Sequence, residues 1–354
     1  MSGAAARTYE LLRQRAKSTG ADVQSLAVSY AIERFMARLM ANDSAGAITV
    51  KGGQSLGILF GNQMRPTKDL DINVGADAAE NPEEWAASAI AAACEGGWDD
   101  GLSIDAAGLS FERRGHQGDG GLRITVPCSV HTCRTTFVID VGIGNEITFE
   151  PSLVKVPGVL GGHKAAPPAL DARVYPHENT LAEKIAAKVE DGTASIRHKD
   201  FFDVWLCIEI MRRAGDLRLL VARDDEMTPA EADLVREVKA RLADGTLLSM
   251  PRREIEPECL DRLGLALSRT AAHRGTTIPE DLEGWLREEF AADAHHSAQW
   301  ANWCRNQKGR LLFQPPGTGK DDDRAAALSV LLDDIGPVVG EMASRAHALA
   351  IPSP

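Results

Sequence analysis

Residues 51–71, KGGQSLGILFGNQMRPTKDLD, constrain the fold more than any other stretch of the chain. A short strand, Ile48-Thr49-Val50, leads into the glycine pair Gly52-Gly53. Gln54 to Phe60 reads as one or two helical turns closed by Gly61-Asn62, and Pro66-Thr67 prepare a second strand that carries Asp69-Leu70-Asp71 and runs on as Ile72-Asn73-Val74. Strand, glycine turn, short helix and second strand make one compact unit. Side chains alternate along a strand, so Asp69 and Asp71 project from the same side, ~7 Å apart. Two like carboxylates that close resist ionising together, and a divalent cation removes the penalty. A donor set made only of oxygen suits Mg²⁺ or Mn²⁺. The glycines let backbone N–H groups approach an anion, with the N-terminus of the following helix aimed at it. Metal-binding carboxylates beside a phosphate cradle point to nucleotidyl transfer by in-line displacement.

The chain of 354 residues is long enough for about two domains. Its apolar fraction of 44% and charged fraction of 25% are those of a globular protein. No apolar run reaches the ~20 residues of a membrane span, and the opening MSGAAARTYELLRQRAKS has no signal-peptide core. The expected location is therefore the cytoplasm, with no membrane partner. Six cysteines, none in a CxxC, predict buried or incidental thiols rather than zinc or a disulfide framework. A net charge of −12 opposes nonspecific binding to nucleic acid, though it leaves room for a local basic groove.

The expected architecture is α/β (α+β): a mixed sheet flanked by helices, with a helical C-terminal part. Four segments are expected. Residues 1–45 form N-terminal helices packing on the core, 46–175 the core, 176–225 helices that complete the active site, and 226–354 a helical C-terminal domain. Helical spacing marks two helices over 7–42 and an alanine-rich helix over 83–95. Strands are predicted at about 102–113, 121–130, 134–143 and 169–175, with a loop over 157–168. From Asn179 the pattern turns helical. Thr180-x-x-Glu183 reads as a capping box and Gly192 as a stop. Further helices are expected at 199–213, 229–243, 257–273, 279–292, 295–307 and 323–349.

The segment KGGQSL…MRPTKDLD, the preceding YAIERFMARL, and the later pair LAEKIAAKVE and RHKDFFDVW occur in one order. Together they resemble the AbiEii/AbiGii-type nucleotidyltransferase toxins of the DNA polymerase β superfamily, over about residues 25–210. The resemblance implies a nucleotidyltransferase fold and transfer of NMP from an NTP to an acceptor. It assigns Asp69 and Asp71 as metal ligands, and Asp140, at the end of the strand Thr136–Val141, as the third carboxylate of the metal site. Gly52, Gly53 and Ser55 would hold the β- and γ-phosphates. Members of the family commonly have Thr or Ser after the second glycine, where this chain has Gln54, so Ser55 or the Gln54 amide takes that place. Lys51 precedes the turn. Arg65 pairs with the aspartates, meets a phosphate, or forms a structural ion pair.

Lys184 matches the family's lysine and would neutralise charge on the leaving pyrophosphate. Lys188 lies one turn further on the same face. Asp200 would orient that lysine, and Asp203, at i+3, would brace the fold. The resemblance also implies Mg²⁺ or Mn²⁺ as cofactor and NTP as substrate. It implies the toxin of a toxin–antitoxin or phage-defence system, with a cognate antitoxin partner. In some relatives the acceptor is the 3′ end of tRNA. Two alternatives stay open: the same chemistry on a protein or small-molecule hydroxyl, and a non-catalytic nucleotide-binding interaction protein. A basic groove using Arg197, Lys199, Arg252 and Arg253 would favour RNA. The stretch PPGTGK at 315–320 lacks the first glycine of a P-loop and the hydroxyl after its lysine, so it reads as a charged loop. His295-His296 reads as the exposed start of a helix rather than a metal site.

Overall fold

The structure, a computed structural model, describes residues 3–43, 46–60, 67–78, 80–114, 121–161, 163–195, 197–222, 224–307, 311–316 and 328–349. Arg65 and Lys320 lie outside them. The chain forms two compact units: residues 1–58, 66–145 and 151–175 make the first, and residues 59–65, 146–150 and 176–354 the second. The mixed sheet flanked by helices, with helices following it in the chain, is the α/β architecture the sequence predicts.

The first unit is built on eight strands: β1 (Ile48–Lys51), β2 (Asp69–Val74), β3 (Leu102–Ile104), β4 (Ser110–Arg114), β5 (Gly121–Val130), β6 (Cys133–Ile143), β7 (Ser152–Lys155) and β8 (Asp171–Val174). They form one sheet in the order β3-β5-β6-β2-β1-β8-β7, with β4 also pairing β5. The β2–β6 and β1–β8 pairs are parallel and the rest antiparallel. Alternation sorts the faces. Leu70 and Ile72 of β2, Phe137, Ile139 and Val141 of β6, and Leu122, Ile124 and Val126 of β5 are buried. Asp69, Asp71, Val138, Asp140, Arg123 and Thr125 on the opposite face are only half-buried.

Helices α1 (Gly3–Thr19), α2 (Val23–Asn42) and α4 (Pro82–Cys94) belong to this unit, and α3 (Gly52–Phe60) starts in it. Phe35 of α2 meets Phe137 of β6 with ring centroids 5.4 Å apart. The Asp22 carboxylate caps α2 by accepting from Ser25 N at 2.7 Å. Past its end, Asp43 accepts from the N–H groups of Ala47 and Ile48, both at 2.9 Å, and so fixes the entry into β1. The strand expected over 102–113 is split into β3 and β4 by a 3₁₀ turn at Ala106–Gly108, and β7 was not anticipated.

Helix α2 buries charge as well as apolar surface. Arg38 Nη2 donates to Asp100 Oδ1 and to Leu102 O, each at 2.9 Å, and the Tyr30 hydroxyl donates to Asp100 O at 2.5 Å. Asp100 Oδ1 also accepts from Leu102 N at 3.0 Å. Burial raises the Tyr30 phenol well above its ordinary range.

The second unit holds α5 (His177–Asp191), α6 (His198–Ala214), α7 (Pro229–Asp244), α8 (Pro257–Arg274), α9 (Leu282–Leu286), α10 (Ala294–Gln307) and α11 (Leu328–Leu349). Helix α6 is buried on nearly every side, with Phe202, Trp205, Leu206 and Ile210 in the core. The helix expected over 279–292 is instead α9 followed by a π-helical turn, Arg287–Ala291. Thr180 and Glu183 do not form a capping box. Helix α5 has its N-cap four residues earlier, at Pro176, and the Thr180 hydroxyl donates back to Pro176 O at 3.3 Å from inside the helix. A capping box does occur at α7, where Thr228 and Glu231 satisfy each other's backbone N–H. His296 is buried, contrary to the exposed position expected of it, and packs on Phe290 at 4.9 Å between ring centroids.

Removing the Asp100 carboxylate strands the Arg38 guanidinium in the core. Asp100→Ala is expected to cost about 3–5 kcal/mol of stability. Asp100→Asn, which keeps an acceptor, should cost less, and denaturant titration of the two variants measures the difference.

Candidate functional site

The unit of strand, glycine turn, helix and strand forms as its sequence suggests, but tighter. Helix α3 begins at Gly52 itself, directly after β1. Gly52 takes φ +66°, and a Cβ there would sit 2.2 Å from Asp71 Oδ2. The position thus excludes side chains twice, by conformation and by space. Strand β2 returns antiparallel beside β1, with Asp71 opposite Lys51. The first N–H groups of α3 have no partner within their own helix, and Gly52, Gly53 and Gln54 are half-exposed. Ser55 points elsewhere: it is fully buried and its hydroxyl donates to Gly52 O at 2.8 Å.

Parallel pairing of β2 with β6 brings in the third carboxylate. Asp71 lies in register with Asp140, and Asp69 with Val138. Asp69, Asp71 and Asp140 therefore share one face of the sheet. The Asp140 carboxylate pairs with Arg123 of β5, whose Nη1 lies 3.3 Å from Oδ1 and 3.4 Å from Oδ2. Lys51 Nζ donates to Asn145 Oδ1 at 3.1 Å, and Asn145 N donates to the Asn73 side chain at 3.1 Å.

Among the described residues no three His, Cys, Asp or Glu side chains converge as a metal cluster. Mg²⁺ commonly takes one or two protein carboxylates and completes its shell with phosphate oxygens and water. Asp69 and Asp71, all-oxygen donors on one face beside a helix start, fit that requirement. Asp140 stands next to them in the row with its oxygens turned to Arg123.

The remaining candidates lie in the second unit. Lys184 of α5 is 9% exposed, and its Nζ donates to Asp200 Oδ1 at 2.6 Å and to Asp203 Oδ2 at 2.9 Å. One ammonium thus ties two buried carboxylates of α6 that would otherwise repel each other. Lys188, one turn on, donates to Ser195 Oγ at 2.9 Å and lies over the rings of Phe201 and Phe290 at 4.4 and 5.5 Å. Sequence reasoning missed this aromatic box, because its Phe290 comes from a helical turn about a hundred residues downstream. Arg252, weighed as part of a basic groove, is engaged by Glu209 and Asp334 at 2.7 and 2.9 Å.

Residues 34–316, most of the chain, match the family described as "Nucleotidyl transferase AbiEii toxin, Type IV TA system". The matched span includes Asp69, Asp71, Asp140, Lys184, Lys188, Asp200 and Asp203. No curated protein matches the chain. The crystal structure of JHP933 from Helicobacter pylori is similar at 12% identity, over 99% of this chain and 94% of that one, with a TM-score of 0.30. A likeness at that level carries no argument about function.

Burial pushes the Lys188 ammonium down to about 8, against the opposing pull of Asp200 and Asp191. A lysine whose folded value lies below its unfolded one binds fewer protons when folded. Between about pH 8 and its ordinary value near 10.5, stability should therefore rise with pH, and below 8 the penalty is present in full. The gain is roughly 3 kcal/mol. Thermal melts across that range are expected to show it in the wild type and not in Lys188→Met.

Proposed function

The chain belongs to the AbiEii nucleotidyl transferase toxin family, and from that premise we propose that it transfers NMP from an NTP to the 3′ end of tRNA. The observation that carries the reading is the shared sheet face of Asp69, Asp71 and Asp140, beside the half-exposed N-terminus of α3. Membership of a type IV toxin–antitoxin family implies an antitoxin partner and a nucleotide substrate.

In this reading Asp69 and Asp71 hold a divalent cation, with Asp140 as third carboxylate. Bound Mg²⁺ supplies Lewis-acid polarisation of the α-phosphate and lowers the barrier to displacement of pyrophosphate. The chain's own residues orient the reactants. N–H groups of Gly53 and Gln54 approach phosphate oxygens where the Gly52 turn leaves no side chain in the way. Asp140 accepts a proton from the attacking hydroxyl. Lys184 is the proposed counter-charge for the departing pyrophosphate, and Asp200 and Asp203 hold its ammonium in place. Removing Lys184 would also leave two buried carboxylates unpaired, so its variants read stability as well as chemistry. The net charge of −12 makes RNA binding depend on local cations, and binding should weaken as salt rises.

Asp69→Asn and Asp71→Asn are expected to abolish transfer from α-labelled NTP while leaving the melting curve unchanged or slightly raised, since one of two repelling charges is gone. Wild-type protein expressed alone should arrest bacterial growth, and Asp71→Asn should not. Purified protein with Mg²⁺ and each labelled NTP should mark a tRNA-sized band in total RNA. Full activity in either variant would defeat the carboxylate assignment. Label on protein alone would move the acceptor to a polypeptide hydroxyl.

A further inference from the structure

A single transverse row crosses four strands of the sheet. Lys51 on β1 is opposite Asp71 on β2, Asp71 is in register with Asp140 on β6, and Asp140 is opposite Arg123 on β5. Paired residues on neighbouring strands project to one face, so the row reads cation, carboxylate, carboxylate, cation. Neighbouring strands run only ~4.8 Å apart. Two ionised carboxylates at that spacing need compensating positive charge. On the Asp140 side the chain supplies it internally. Arg123 Nη1 sits across both carboxylate oxygens, at 3.3 and 3.4 Å, with the two side chains 32% and 23% exposed.

That placement has a cost for metal chemistry. The guanidinium occupies the oxygens through which Asp140 would reach a divalent cation, and one nitrogen shared between two oxygens at these lengths is a loose contact rather than a bidentate fork. A loose, partly solvated ion pair is one that a divalent cation can replace. Among the described residues no three His, Cys, Asp or Glu side chains converge as a metal cluster, as expected where Arg123 holds Asp140.

Resting on the metal-dependent reading above, we propose that Arg123 is a positioning residue that competes with the divalent cation for the Asp140 carboxylate, and so sets how tightly the site binds metal. Free of nucleotide, the guanidinium holds Asp140 away from Asp71. When the cation engages all three carboxylates, the guanidinium swings off Asp140 towards solvent. The exchange is one of ion pairs alone; no covalent bond changes.

The test is Mn²⁺ binding to the full chain without nucleotide, followed by electron paramagnetic resonance, with a melting curve for each variant. Arg123→Met keeps the aliphatic stem on the strand and removes the charge, and Arg123→Gln replaces it should the first variant melt low. Either is expected to bind Mn²⁺ roughly three- to fivefold tighter than wild type. In an Asp140→Asn background the same change should have no effect, because the contested ligand is gone. A gain that persists there would be a general effect of removed positive charge, and it would overturn the proposal. So would binding no tighter than wild type, which would make Arg123 a brace of the sheet. Wild type that binds no Mn²⁺, or Asp71→Asn that binds it as wild type does, would overturn the metal reading itself and this inference with it.

Discussion

The parallel pairing of β2 with β6 is the constraint on which the first unit turns. Its register puts Ile72 beside Val141 and Leu70 beside Ile139 on the buried face, and Asp71 beside Asp140 on the other. A strand's side chains alternate with period two, so a slip of β2 by one residue would drive Asp69 and Asp71 into the core and expose Leu70, Ile72 and Val74. Burial of those side chains, each contributing roughly 1.5–3 kcal/mol, thus fixes the placement of charged groups that would themselves rather be apart. The carboxylates stand side by side because the apolar face leaves no other register.

A different solution operates in the helical unit. There the like charges, Asp200 and Asp203, are buried rather than half-exposed, and solvent cannot screen them. One ammonium, from Lys184, answers both. The sheet row has a cation at each end, Lys51 and Arg123, of which Arg123 pairs with Asp140. The helix pair concentrates its compensation in one residue, which leaves α5 and α6 little freedom to turn about their axes without breaking a contact of 2.6 or 2.9 Å. Glu209, Arg212, Arg252 and Asp334 form a second such knot, where Arg252 is committed to acidic partners of its own unit.

Much of this was legible in the chain because the signals were local. The glycine pair that follows the strand Ile48-Thr49-Val50 and the period-two alternation of Leu70-Asp71-Ile72 each announce an element within a few residues. Strand β7 was not legible: its sequence, Ser-Leu-Val-Lys, is too short to show a pattern, and it exists because β8 offers it an edge. His296 beside His295 looks like any polar pair, and the rings that pack against it in its buried place, His198 and Phe290, are not both near it in the chain. Thr180 and Glu183 have the spacing of a cap, but Pro176 starts the helix a turn earlier, since a fixed φ and a missing N–H suit the position before a first turn. Arg123 carried no signal at all. Its meaning comes from the antiparallel register of β5 against β6, which no spacing in the sequence discloses.

The long separation between β2 and β6 has a consequence for how the molecule comes into being. Asp71 and Asp140 are 69 residues apart in the chain (140 − 71), yet they are neighbours in the sheet. Closing so long a loop is entropically slow, whereas the β5–β6 hairpin, with His131 at φ 54° in its two-residue turn, forms locally. During synthesis, β2 leaves the ribosome with its intended neighbour not yet made. The two carboxylates can meet only after β6 has emerged and found it, so a nascent or truncated chain carries the acidic motif without the paired site. For a family of toxins, that order of events keeps the paired carboxylates from forming until most of the first unit is in place.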